Sequence, residues 1–286
     1  MAKVYEALRR AEEERKRKIA HGVAPVPALE WEPTPGSAPQ PESSKGLGKL
    51  LRRKTTAELP RTLSDVSAAD ANRRRIALLE PESFIAEQFR MLRSRIDSMA
   101  SETPVNSIAI TSANAGEGKS NVSINLAIVT AMSMGRKVLL IDCDMRRPTI
   151  HRSLGVNPQM GLAEVLTGSC SAEEAIIKLE GTSLELLGVR RHPQNPSELL
   201  ASRPMRDLLD ELRGRYDRII LDTPATLGLP DSKIVAGICD GYLMVVRAGD
   251  TGREDVEAAL EVLDRRHALG LILNGAEMGR DRYAYY

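Results

Sequence analysis

Five residues in three short stretches carry the chemistry of this sequence. Lys119 and Ser120 close the run Ala113-Asn114-Ala115-Gly116-Glu117-Gly118-Lys119-Ser120. Asp142 and Asp144 follow the apolar run Val138-Leu139-Leu140-Ile141, and Asp222 ends Arg218-Ile219-Ile220-Leu221-Asp222. A cation, a hydroxyl and three carboxylates suit polyphosphate chemistry. Glycines let backbone N–H groups close around phosphate oxygens, and a helix that starts there adds its partial positive charge. Lys119 can reach the β- and γ-phosphates of a bound nucleotide, while the Ser120 hydroxyl and the acids are hard oxygen donors suited to Mg²⁺.

The elements that position these residues can be read around them. Ile108 to Ser112 is a β-branched, apolar run, and a helix-compatible run begins at Asn121, so residues 113–120 have the strand–loop–helix setting of a phosphate-binding P-loop. Ala113 stands where the pattern opens with Gly, and Asn121 stands where Thr often follows Ser120. Val138 to Ile141 and Ile219 to Leu221 have the continuous apolar character of buried parallel strands, and both end in acids. Open parallel sheets bind ligands at that end. Asp142 and Asp144 lie two apart on an extended chain, so both side chains fall on the same side. Further βα alternation is expected: a helix at 161–166, a strand at 184–189, a turn and helix at 195–200, helices at 205–216 and 232–236, a strand at 241–247, a helix at 253–267 and a strand at 269–274. The predicted fold is α/β, a doubly wound and mostly parallel sheet of the P-loop NTPase type.

Outside that unit the sequence is less ordered in character. Residues 1–20 have helical periodicity with a narrow stripe of Val4, Leu8 and Ala11, which fits a docking helix or a frayed terminus equally. Residues 21–79 predict a disordered linker rich in Pro, Ala, Glu and Ser, with Trp31 as an exposed orphan. Basic clusters at 49–54 and 73–75 are taken as solvated charge in preference to a membrane-adsorbing patch. Order is expected to resume at Glu80, with a helix over 83–99 carrying Phe84, Ile85, Phe89, Leu92 and Ile96 on one side. Glu87, Arg90 and Arg93 recur every three residues on it, and spacing alone favours pairing within the helix.

Composition excludes several classes. A net charge of +1 gives no basic excess for nucleic acid. Cys143, Cys170 and Cys239 have neither metal-type spacing nor a disulfide framework, and His151, His192 and His267 do not cluster. No apolar run approaches the ~20 residues of a membrane span, and the N-terminus lacks a signal peptide, so a soluble cytoplasmic chain is expected. Three of the six tyrosines, Tyr283, Tyr285 and Tyr286, fall in the final four positions, where there is no core to fill.

Taken in order, these motifs resemble the bacterial tyrosine kinases, the autokinases of capsule and exopolysaccharide synthesis. The resemblance covers roughly residue 80 onwards and rests on residues 113–120 (Walker A), 139–146 (a second, Asp-x-Asp-x-Arg element), 219–224 (Walker B), 195–200, the Glu87/Arg90/Arg93 helix and the terminal tyrosines. It implies a kinase domain over 80–279 with a tyrosine-rich tail at 280–286, using ATP and Mg²⁺. Residues 114–121, Arg146 and Asn274 then become nucleotide contacts, with Asn274 near adenine. Ser120, Asp144 and Asp222 would hold the metal, Lys119 and the three acids would be catalytic, and Asp142 would act as base or orienter. Arg146 could instead hold the second-strand acids. Tyr283, Tyr285 and Tyr286 become phosphoacceptors. The resemblance also reverses the preference at Glu87, Arg90 and Arg93, which mediate ring-like self-association in the family. It implies a separate transmembrane chain-length regulator as partner, through which the chain would reach the inner face of the membrane. The competing reading is a partitioning or division-site ATPase, which switches dimerisation and phosphorylates no protein. That group carries a further lysine five residues before the P-loop lysine, where this chain has Asn114.

Overall fold

The computed structural model describes residues 75–100, 104–179 and 181–276. The expected helix over 1–20, nearly all of the linker, and the tyrosine tail lie outside the described residues. Two helices, α1 (Ile76–Leu79) and α2 (Phe84–Ala100), precede a seven-stranded sheet. Its strands are β1 (Ser107–Ser112), β2 (Val138–Asp142), β3 (Ile176–Lys178), β4 (Leu184–Leu187), β5 (Arg218–Asp222), β6 (Gly241–Arg247) and β7 (Ala268–Asn274). The spatial order is β3-β4-β2-β5-β1-β6-β7. All neighbours run parallel except β3, an antiparallel edge strand. Strand β6 has the bounds its apolar pattern predicts. The 3-residue β3 was not expected, because it is too short to show a period of two.

Alternate strand residues divide between two cores, as side chains on a pleated sheet must. Ile108, Ile110, Leu140, Ile220 and Val245 face one side, and Ala109, Leu139, Ile141, Leu221 and Met244 face the other. The first side is covered by α3 (Lys119–Ala131), which lies under α1 and α2 and is buried along nearly its whole length. Its all-round apolar character matches that position. The connection after β2 carries α4 (Ile150–Leu154). The second side carries α5 (Leu162–Leu166), α6 (Ala172–Ala175), α7 (Pro196–Ala201), α8 (Arg203–Arg213), α9 (Asp231–Ile238) and α10 (Arg253–Val262). Among the described residues no helix is long and apolar enough to cross a membrane.

Several boundaries differ from the sequence expectation, among them the end of the strand expected over 184–189, which stops at Leu187. The linker does not extend to residue 79. The α1 helix already forms at Ile76, because Ala77 is buried and its N–H donates to Asn125 Oδ1 of α3 at 3.0 Å. The helix expected over 253–267 stops at Val262, and a 3₁₀ turn at Arg265–His267 leads into β7. The helix expected over 205–216 starts earlier, at Arg203, where the Ser202 hydroxyl caps it, and ends at Arg213. On α2 the buried side is narrower than predicted: Ala86 and Ile96 are buried, Phe89 and Leu92 half-buried, and Phe84 and Ile85 exposed.

Candidate active site

The P-loop connects β1 to α3 at the C-terminal edge of the sheet. Gly116 and Gly118 have φ of 84° and 98°, a left-handed conformation that L side chains rarely adopt. Gly118 is the N-cap of α3 and no side chain caps it, so the first-turn N–H groups are left for an anion. Ala113 is buried in the core, and its methyl group is accommodated there.

The loop is braced from outside. Arg247 Nη1 donates to the Gly116 carbonyl at 2.9 Å, and Asn274 Nδ2 donates to the Glu117 carbonyl at 2.8 Å. A Cβ at Gly118 would lie 2.0 Å from Asn274 Nδ2, so glycine is also required there for close approach. The Glu117 side chain turns inward, 2% exposed, and accepts the Thr251 hydroxyl at 2.5 Å and the Asn114 N–H at 3.2 Å. Asn114 Nδ2 donates to Asp255 at 3.0 Å. Of the expected nucleotide-binding residues, Glu117 and Asn274 therefore use their side chains to shape the loop.

Facing the loop are the ends of β2 and β5, where Asp142 and Asp222 are register partners. Both are buried, at 0% and 1% exposure. Asp222 accepts Ser120 Oγ at 2.6 Å and Ser123 Oγ at 2.8 Å. Ser123 was not identified from sequence, although its position three residues after Ser120 places both hydroxyls on one helix face. Burial raises the proton affinity of Asp222, lifting its pKa to about 6 against the pull of both hydroxyls and of Lys119. Asp142 is pushed well above the carboxylate range by burial and then by the charges of Asp222 and Asp144. Its two oxygens accept the N–H groups of Asp144 (3.1 Å) and Ile150 (3.3 Å), so it is enclosed by the chain that follows β2. Asp144 is half-buried, and its Oδ1 accepts the Arg147 N–H. Arg146 contacts none of these acids: Nε bonds Asp231 at 2.8 Å and Nη2 bonds Ser197 at 2.9 Å.

Ser120 is bonded to Asp222, and Asp144 lies within electrostatic reach of Asp222, so hard oxygen donors gather at this end of the sheet. They suit Mg²⁺, which takes few protein ligands and completes its shell with phosphate and water. The left-handed glycines and the uncapped start of α3 fit a phosphate chain.

The Glu87/Arg90/Arg93 triplet separates into two parts. Arg90 Nη1 pairs with Glu87 at 2.5 Å and also donates from Nη2 to the Pro81 carbonyl, while Arg93 Nη1 donates to the Val129 carbonyl of α3 at 2.6 Å.

This sheet order, loop and acid pair define a P-loop nucleotide-binding protein. Residues 105–268 match a family model described as an AAA domain. A tyrosine-protein kinase of Bacillus subtilis, YwqD, is 38% identical over 214 residues, covering 74% of this chain and 90% of that one. The kinase domain of the Escherichia coli tyrosine kinase ETK superposes with a TM-score of 0.68 at 33% identity, covering 72% of this chain and 81% of that chain. The septum site-determining protein MinD of Pyrococcus horikoshii, complexed with Mg-ADP, is less similar, with a TM-score of 0.51 at 25% identity over 59% of this chain and 68% of that one. The chain belongs to the bacterial tyrosine-kinase family.

Proposed function

We propose that the protein is an ATP-dependent tyrosine autokinase that phosphorylates Tyr283, Tyr285 and Tyr286 between subunits. The carrying observation is the buried Asp142–Asp222 pair, with Ser120 bonded to Asp222, at the mouth of a P-loop. Kinship favours this over a division-site switch, as does Asn114, whose amide is bonded to Asp255 at the position of that group's extra lysine.

ATP is the phosphoryl donor, with its phosphates on residues 116–120. Mg²⁺ bound by Ser120, Asp222 and Asp144 would supply neutralisation of phosphate charge. Lys119 adds a second positive charge, and the braced loop supplies positioning. Little covalent work falls to the protein in phosphoryl transfer, so placement and electrostatics set the rate. A phenol ionises near ~10, and Asp142, with its raised proton affinity, is the assigned acceptor for the phenolic proton. Its oxygens accept the Asp144 and Ile150 N–H groups, so it also orients the segment that carries Asp144.

The family includes a succinoglycan biosynthesis transport protein, and control of capsule or exopolysaccharide polymerisation or export is the corresponding cellular role. A ring-like homo-oligomer and a transmembrane chain-length regulator complete the reading. Labelled ATP with Mg²⁺, followed by phosphosite mapping, tests it. Label on the terminal tyrosines is expected, whereas steady hydrolysis without protein-bound label would replace it with the division-site reading.

A further inference from the structure

The connection between β2 and α4, residues 143–149, carries Asp144 and is fastened from three directions. On its inner side the Asp142 carboxylate accepts the Asp144 and Ile150 N–H groups. On another side His192 Nδ1 lies 2.9 Å from the Met145 carbonyl oxygen. On its outer side Arg146 reaches α9 and α7. Its Nε meets Asp231 Oδ2 at 2.8 Å, its Nη2 meets Ser197 Oγ at 2.9 Å, and Ser197 Oγ donates to Asp231 Oδ1.

Asp231 is 1% exposed, and a buried carboxylate is costly unless a cation and hydrogen bonds satisfy it. Arg146 and Ser197 supply both, which holds the guanidinium on Asp231. Asp144, two residues before Arg146, lies within electrostatic reach of Asp142 and Asp222. Three carboxylates in that range repel one another, and of the three Asp144 is the one carried on a loop beyond its strand. Something must hold that loop against the repulsion.

We propose that Asp231 is a positioning residue for metal-dependent nucleotide binding: through Arg146 it holds the 143–149 loop so that Asp144 stays at the crevice with Asp222. The inference rests on the nucleotide-site reading above. It assigns Arg146 to the anchor and not to a phosphate. Residues that orient a metal ligand typically change metal affinity about 10–100-fold when replaced.

The test is calorimetric titration of the full chain with ADP, once with excess Mg²⁺ and once with chelator, for the unaltered protein, Asp231→Asn, Arg146→Met and the double variant. The Arg146 side chain is 37% exposed against 1% for Asp231, so Arg146→Met covers the case in which Asp231→Asn folds poorly. The Mg²⁺-dependent gain in ADP affinity should fall about 10-fold in each single variant and no further in the double, because the two residues act as one anchor. ADP affinity in chelator should stay within about twofold, since the P-loop is braced separately. An unchanged Mg²⁺-dependent gain, additive losses, or an equal loss in chelator would each overturn the anchor. If the unaltered protein shows no Mg²⁺-dependent gain at all, the site assignment itself fails, and the inference falls with it.

Discussion

Asp142 and Asp222 stand side by side at the ends of β2 and β5, buried, and among the described residues neither forms an ion pair. Two neighbouring carboxylates in a low-dielectric site raise each other's proton affinity. The pair is thus electrostatically unfavourable, and a bound cation would relieve it.

The first prediction concerns stability and pH. Asp222 ordinarily ionises near 3.8 but is lifted to about 6 in the fold. Between those values the folded chain holds a proton that the unfolded chain has lost. Stability therefore falls as pH rises from about 4 through 6 and stays lower above. Asp222→Asn removes that cost, on the order of 3 kcal/mol, and the Ser120 and Ser123 hydroxyls can both donate to and accept from the amide. Thermal unfolding should show the variant melting higher than the parent at pH 8, with the difference gone near pH 4. A variant less stable at pH 8 would contradict the assignment.

Lys119→Met should abolish autophosphorylation, a loss of at least about 100-fold, because it removes a charge that acts on the transferring phosphate. Lys119 is only 8% exposed, and Met is close to it in length and apolar. Circular dichroism and the melting temperature should therefore stay near those of the parent. Retained tail labelling in the folded variant would exclude this lysine from the site.

Sequence exposed the parts that repeat a local rule. The strands around Ile108, Leu139 and Ile220 are continuous apolar runs because both their faces are covered, and the P-loop has a fixed spacing. Long-range side-chain pairing was not legible. Arg146 and Asp231 lie 85 residues apart, and neither position has a periodicity that marks the other. Glu117 gave no sign of turning inward, since only the fold brings Thr251 beneath it. Residues 76–79 follow a basic cluster, and four residues are too few to show a helical period. Only the cover they provide for α3 makes them helical.

Transfer between subunits is tested by mixing. Lys119→Met protein with an intact tail should become labelled when combined with active protein lacking residues 283–286. The β7 strand ends at Asn274, so Tyr283 to Tyr286 follow it by 9 to 12 residues, a maximum reach of about 30–40 Å. The loop that receives the nucleotide lies at the same strand end, so self-service would need a sharp reversal. Labelling of intact protein at a rate independent of concentration, with no label on the inactive partner, would place transfer within one chain.

Assembly can be separated from folding at α2. Replacing Glu87, Arg90 and Arg93 together by Ala should give a monomer in light scattering and weak tail phosphorylation. Arg93 also bonds the Val129 carbonyl within its own chain. Glu87→Ala with Arg90→Ala, which spares that bond, should reduce the mass with little change in melting temperature. Arg93→Ala alone should lower stability by about 1 kcal/mol. An unchanged mass in the triple variant would leave the triplet as an intrachain device.

The burial of α3 has a thermodynamic consequence. Its first residue, Lys119, belongs to the phosphate loop, while further along its length Asn125 and Val129 are fastened to Ala77 and Arg93 in the helices above. One rod therefore joins the nucleotide end of the domain to the helix expected to touch a neighbouring subunit. If a neighbour's grip on α2 changes the affinity of the loop for nucleotide by some factor, nucleotide must change the grip by the same factor. Occupancy and ring closure then become reciprocal quantities, and an occupied site recruits neighbours to the extent that neighbours fill the site.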